Sequence, residues 1–301
     1  MIKAIVFDMD GTLLNSKDEI SKKTLDFLIN LQKQKIKLIL ASGRNYRKLL
    51  PYAHQLQMEL YDGDLIEGNG FACYHIANDE RNILHQLSKK DASLIWDMVK
   101  PFDVELILSL DDTLYYTFSD EVRKQKQAYR KEHNLSDDFP WLGGYRGFCV
   151  DNRIGYPHQY FFDNIQDIPA KMNKICLTHN QEIIQEVAVQ LNQKLNHQYE
   201  ICKSMPRWIE ITPKGCSKGS CLKRLMKQYG YQKDEVIVFG DGENDLSMFD
   251  QVVYSVAMDN ALESVKQHAF AITSNHDEDG IYQFLKNNEH ILGIKNNNVL
   301  Y

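Results

Sequence analysis

The chain opens on residues 2–7, apolar except for Lys3, and breaks into two aspartates, Asp8 and Asp10, then Gly11 and Thr12. A short apolar run bounded by turn residues predicts a buried strand. Apolar residues then recur at helical spacing over 20–31, with Ser21 placed to cap the helix. IKLILASGR predicts a second buried strand ending in small residues. NYRKLLPYAHQL predicts a helix despite Pro51, and 65–67 a third short strand. This β-α-β-α-β order predicts a parallel sheet with right-handed crossovers.

The pattern then changes. FACYHIANDERNILHQL reads as a hairpin turning at Asn78 and Asp79. KDASLIWDMVKPF predicts a helix, VELILSL and TLYYTF predict strands, and 119–133 a polar helix. Residues 134–170 are rich in Gly, Pro and Asp and show no readable period. KMNKICLTHN, a helix over QEIIQEVAVQLNQKL and strands near 198–203 and 207–212 complete this α+β segment. From about residue 213 the first pattern returns. SKGSCLKRLMKQYG is a helix stopped by Gly230, EVIVFGDGEND is another buried strand ending in acids, and further strand–helix units follow. The expected fold is α/β: a Rossmann-like parallel-sheet core, residues 1–84 and 203–301, with an inserted α+β domain at 85–202. The stretch from 287 onward is expected to be a loosely held tail.

Composition narrows the function. The 301 residues are 43% hydrophobic and 25% charged, an ordinary globular mixture, with net charge −6. No basic excess exists to neutralise nucleic-acid phosphates. No apolar run approaches a membrane span, and the N-terminus is too short and acidic for a signal peptide, so a cytoplasmic location is expected. The six cysteines form no CxxC and no zinc-like spacing with histidine, which predicts reduced thiols.

The acids carry the chemistry. Asp8 and Asp10 follow one buried strand; Asp241 and Asp245 follow another. Ligands in open α/β sheets bind outside the carboxyl ends of strands. If these two strands are neighbours, all four carboxylates converge, and they repel unless a cation sits among them. With oxygen ligands and no His or Cys, a hard ion such as Mg²⁺ fits best. A calcium-binding EF-hand loop would place Asp8, Asp10, Thr12 and Glu19 at positions 1, 3, 5 and 12, but Leu13 stands where that loop needs glycine. Plain helix capping explains one such acid pair, not two at two strand ends. LASGR puts Ser42 and the Gly43 amide where a helix N-terminus favours an anion, with a plain N-cap serine as the alternative. Lys218 opens a helix whose dipole opposes it, which an anionic partner would explain and a solvated surface lysine would also fit.

The order DxDGT, SGR, SKG, GDGEND resembles the four motifs of the haloacid dehalogenase phosphatases. The long insert, Asn69-Gly70 and IEITPKG resemble the large-cap, Cof-type subfamily. The resemblance implies that Asp8 is the nucleophile and a Mg²⁺ ligand. It implies that Asp10 is the general acid and base and binds Mg²⁺ through its main-chain carbonyl. It assigns the phosphoryl oxygens to Ser42, Gly43, Lys218 and Asn244, and Asp241 and Asp245 to the metal. The implied substrate is a small phosphorylated metabolite: a sugar phosphate, pyridoxal phosphate or flavin mononucleotide. A phosphotransferase or mutase, or a regulatory protein without catalysis, would use the same scaffold. Tyr115, Tyr116, Trp141 and Tyr145 are aromatic candidates in the cap, and nothing in the sequence fixes the oligomeric state.

Overall fold

A computed structural model describes residues 1–144 and 147–293. Tyr145 and the last eight residues of the expected tail lie outside the described residues. The N-terminal part carries β1 (Ala4–Asp8), α1 (Lys22–Lys33), β2 (Lys37–Ala41), α2 (Tyr46–Gln55), β3 (Asp64–Glu67), β4 (Ala72–His75) and β5 (Glu80–Ile83). The insert carries β6 (Leu87–Ser88), α3 (Lys89–Val99), β7 (Glu105–Ser109), β8 (Thr113–Thr117), α4 (Asp120–Glu132), β9 (His158–Phe161), β10 (Lys171–Met172), β11 (Lys174–Thr178), α5 (Gln181–Leu195), β12 (Tyr199–Met205) and β13 (Trp208–Pro213). The C-terminal part carries α6 (Lys218–Tyr229), β14 (Val236–Gly240), α7 (Leu246–Phe249), β15 (Tyr254–Ala257), α8 (Glu263–His268), β16 (Ala271–Ile272), α9 (Gly280–Asn287) and α10 (Glu289–Leu292).

The first and last parts build one sheet in the order β16-β15-β14-β1-β2-β3-β4-β5. It is parallel from β16 to β3, and the β4–β5 hairpin extends it antiparallel. Strands buried on both faces read as continuous apolar runs, which is why AIVF, KLILA and VIVF are legible. Ile5, Phe7, Leu40 and Phe239 pack one face against Leu28 and Leu31 of α1, Leu49 of α2 and Leu285 of α9. Phe7 stacks on Phe239 across the strand pair at 5.6 Å. The register sets Phe7 opposite Phe239 and Asp8 opposite Ala41. The ends of β1, β2 and β14 therefore lie side by side, and so do the loops that carry the three acidic and SGR motifs.

The chain divides into two compact units, residues 1–83 with 217–301, and residues 84–216. The second has a six-stranded sheet, β12-β13-β11-β7-β8-β9, antiparallel except for β8–β9. One face is packed by α3 and α5 through residues such as Ile95, Leu108, Ile175 and Val187. The expected boundary after residue 202 cuts through this sheet: Ile211 of β13 stands opposite Ile175 of β11 and Ile201 of β12. The unit runs on to Cys216 instead. The expected loose tail is also corrected in part, because Leu292 is buried in the core of the first unit. Among the described residues no helix is long and apolar enough to cross a membrane.

Candidate active site

Asp8 closes β1, and the chain turns at once: Leu13 N–H donates to the Asp8 carbonyl at 3.2 Å and Leu14 N–H to that of Met9 at 2.9 Å. Gly11 sits in this turn at φ +80°, a region where glycine has no steric cost. A Cβ there would lie 2.5 Å from Oδ2 of Asp241. The bare Gly11 thus lets the turn press against the second acidic loop, and Thr12 Oγ1 donates to Asp241 Oδ1 at 2.9 Å.

Beyond β14, Asp245 folds back over its own loop. Its Oδ2 accepts from the main-chain N–H of Asp241 at 3.0 Å and of Gly242 at 3.1 Å. Lys218 begins α6 behind the N-cap Ser217. Its fully buried Nζ donates to Asp8 Oδ1 at 2.5 Å and Asp245 Oδ1 at 2.7 Å. The ammonium at this helix start pairs with two of the chain's own carboxylates. Gly219 follows: its N–H donates to Ser247 Oγ at 3.0 Å, and a Cβ there would stand 1.8 Å from the Ser247 carbonyl oxygen. That contact seats α6, and with it Lys218, against α7, which follows the loop after β14.

Asp8, Asp241 and Asp245 each offer an oxygen, and these lie within 4.8 Å of one another. Burial raises the Asp8 carboxyl well above its usual range, and the neighbouring Asp245 raises it further. Burial, then Asp245, pushes Asp241 up to about 6. Burial alone would lower the Lys218 ammonium, but Asp245 and Asp8 outweigh it and hold the lysine charged. When ionised, the three carboxylates outnumber the one ammonium, and that uncompensated charge is what burial resists. An all-oxygen donor set with that charge fits a hard divalent cation.

Asp10 departs from the expected convergence. Its carboxylate is not part of the three-acid group. It is held by the guanidinium of Arg44, whose Nε donates to Oδ2 at 2.9 Å and whose Nη2 donates to Oδ1. Ser42 is buried beside them; its Oγ accepts from Arg44 N–H at 3.0 Å, and Gly43 lies between the two. Asn244 Nδ2 donates to Asn69 Oδ1 at 3.2 Å, which ties the loop after β14 to the turn after β3. Arg44, Thr12 and Asn69 were not singled out as site residues from the sequence. The first two stand inside the SGR and DxDGT motifs, and Asn69 with Gly70 is part of the resemblance to the large-cap subfamily.

The family model for haloacid dehalogenase-like hydrolases matches residues 5–142 and 152–285. The chain belongs to this family. Among its relatives, the HMP-PP phosphatase of Serratia proteamaculans is 30% identical over 88% of this chain and 87% of its own. The HMP-PP phosphatase of Citrobacter koseri is 28% identical over 87% and 86%. The crystal structure of a haloacid dehalogenase-like hydrolase from Bacteroides thetaiotaomicron is 27% identical, with TM-score 0.74 over 95% of this chain and 99% of that one. The protein is an enzyme of the haloacid dehalogenase phosphatases, of the Cof type, with the Rossmann-like core and inserted domain of that group.

Proposed function

We propose that the protein is a Mg²⁺-dependent phosphatase that hydrolyses a small phosphomonoester through an aspartyl-phosphate on Asp8. The observation that carries this reading is the buried Asp8 carboxylate, bound by Lys218 and grouped with Asp241 and Asp245 within 4.8 Å. Those three acids, with the main-chain carbonyl of Asp10, would hold the ion. Bound there, Mg²⁺ supplies charge neutralisation for the incoming phosphoryl group.

In the first step an oxygen of Asp8 forms a bond to phosphorus as the bond to the leaving oxygen breaks. Asp10, two residues on, turns from Arg44 in its protonated form and gives that oxygen its proton. In the second step Asp10 takes a proton from water as the water oxygen attacks the same phosphorus and frees Asp8. The Lys218 ammonium, the Ser42 hydroxyl, the Gly43 amide and Asn244 hold the equatorial oxygens, where preorganised donors stabilise developing charge. Candidate substrates are sugar phosphates and phosphorylated cofactors such as pyridoxal phosphate or flavin mononucleotide. The names of two relatives add HMP-PP. The insert at 84–216 is the candidate cap and selector of the leaving group.

The test is phosphate release from p-nitrophenyl phosphate in Mg²⁺ and in EDTA, followed by a panel of phosphorylated metabolites. Release only with Mg²⁺, and a narrow set of preferred metabolites, is expected. Full activity in EDTA, or none with any phosphomonoester in Mg²⁺, would overturn the reading.

A further inference from the structure

The turn that carries Asp10 is fastened on its inner side by Thr12 and Asp241. On its outer side it is fastened by residues that the mechanism above does not use. Asn260 lies in the loop after β15, and its Nδ2 donates to the Gly11 carbonyl at 2.7 Å. His276 lies in the loop after β16, and its Nδ1 stands 2.7 Å from the Leu14 carbonyl. A carbonyl cannot donate, so Nδ1 carries the proton. The two are joined to each other, because His276 N–H donates to Asn260 Oδ1 at 3.0 Å. Asp277 continues the row by accepting from Ser16 N–H at 2.7 Å. Asp279 accepts from Ser21, the N-cap of α1, and from Thr24 Oγ1 at 3.4 Å.

We infer that His276 and Asn260 are positioning residues of the phosphatase site: Asn260 pins the Gly11 carbonyl and His276 the Leu14 carbonyl, and together they fix the turn on which Asp10 stands. The geometry gives the reason. Asp10 pairs with Leu14 in a single β-bridge across the turn, and Gly11 is its next residue. One pinned carbonyl is on the residue after Asp10 and the other on its bridge partner, so both anchors hold the turn of the residue that carries both proton transfers. Gly11 has the backbone freedom of a residue without Cβ, so the turn needs outside anchors to stay in a single conformation. Misplacement of a reacting group by about 1 Å costs on the order of 10²-fold in rate. Loss of the latch is therefore expected to show in turnover more than in substrate binding.

The inference rests on the assignment of Asp8 and Asp10 above, and one set of variants separates the two. The rates of wild type, Asp8→Asn, His276→Ala, His276→Asn and Asn260→Ala are measured with p-nitrophenyl phosphate and Mg²⁺. An asparagine at 276 can place its amide N–H close to where Nδ1–H stands. His276→Ala and Asn260→Ala are expected to lower kcat by about tenfold, with KM within about twofold, and His276→Asn is expected to recover most of the loss. If Asp8→Asn is inactive but His276→Ala and Asn260→Ala keep wild-type kcat, the latch is wrong and the mechanism stands. A His276→Asn enzyme no better than His276→Ala would also overturn it. If Asp8→Asn retains full activity, the assignment beneath the inference fails. Should His276→Ala not fold, Asn260→Ala, at an exposed residue, decides by the same kcat and KM split.

Discussion

Arg44 grips Asp10 through two donors, Nε to Oδ2 and Nη2 to Oδ1. The planar fork matches a carboxylate in a way that lysine cannot. The pair is only part-buried, so its worth to stability is small. It holds the ionised Asp10, the form that takes a proton from water in the second step, away from the three-acid cluster, and Asp10 must turn from the fork to donate in the first. Arg44→Lys keeps the charge and loses the fork. It is expected to lower kcat by roughly tenfold or more, with little change in the thermal melt. Unchanged kcat would show that Asp10 needs no such support.

Asp8→Asn separates chemistry from folding. It keeps the shape of the side chain and removes the proposed nucleophile, so activity is expected to fall by at least ~10³-fold. The fold holds the Asp8 carboxylate at a cost, since burial and Asp245 both disfavour its charge. Lys218 retains Asp245 as a partner at 2.7 Å. The metal-free variant should therefore melt no lower than the wild type. A marked fall in its melting temperature would mean that the Lys218 pair outweighs the repulsion.

Gly219 is the tightest packing constraint on α6. An alanine Cβ would meet the Ser247 carbonyl oxygen at 1.8 Å, and a backbone atom cannot swing aside as a side chain does. Overpacking of this kind costs about 1–3 kcal/mol or more. Gly219→Ala should lower the unfolding free energy read from urea melts by that amount and reduce phosphate release, because displacing α6 displaces the Lys218 ammonium. A variant with wild-type stability would show that the helix has room to shift.

The parts of this molecule that were legible are those where pattern and register agree. Apolar runs ending in Asp8, Ala41 and Gly240 lie on three neighbouring strands, so their loops meet and the motif residues meet with them. Partner choice within the loops was not legible. Which carboxylate joins the cluster and which turns to Arg44 depends on turn geometry and not on spacing. The segment after 134 had no period because it is fastened from its carbonyls. Arg130 donates to the carbonyls of Phe139, Ser136 and Asp137, and Lys126 to those of Trp141 and Phe148. The boundary near 202 failed for a related reason: alternation along 199–213 identifies strands without saying which sheet they join.

Stability of the metal-free protein should depend on pH through Asp241. Its carboxyl titrates near 6 when folded, against an ordinary 3.8. Between those values the folded chain holds a proton that the unfolded chain has released. Stability from this group is thus full below about pH 4 and declines as pH rises through about 6. Other carboxyls titrate in the same range, so the quantity to measure is the difference between wild type and Asp241→Asn, in EDTA. The wild type is expected to lose stability relative to the variant from pH 4 to 6.5, and Mg²⁺ to restore it most strongly above pH 6, where no proton competes. A flat difference would place Asp241 in a more polar setting than its burial implies.

The covalent route has a stereochemical signature. In the route proposed, Asp8 attacks phosphorus and water then attacks the aspartyl-phosphate. In the alternative, water attacks phosphorus directly and Asp8 is a ligand only. The position of Asp10 favours the first. It is two residues from Asp8 in the same turn, so one carboxyl can give a proton to the leaving oxygen and later take one from water on that side. Such a reversal is useful only when an intermediate separates the two steps. Each in-line displacement inverts phosphorus, so two give retention and one gives inversion. A phosphomonoester made chiral with oxygen isotopes and sulfur is therefore expected to be hydrolysed with retention. Clean inversion would move the nucleophile's role from Asp8 to water, while leaving the three-acid cluster and Lys218 as the site that holds the phosphoryl group.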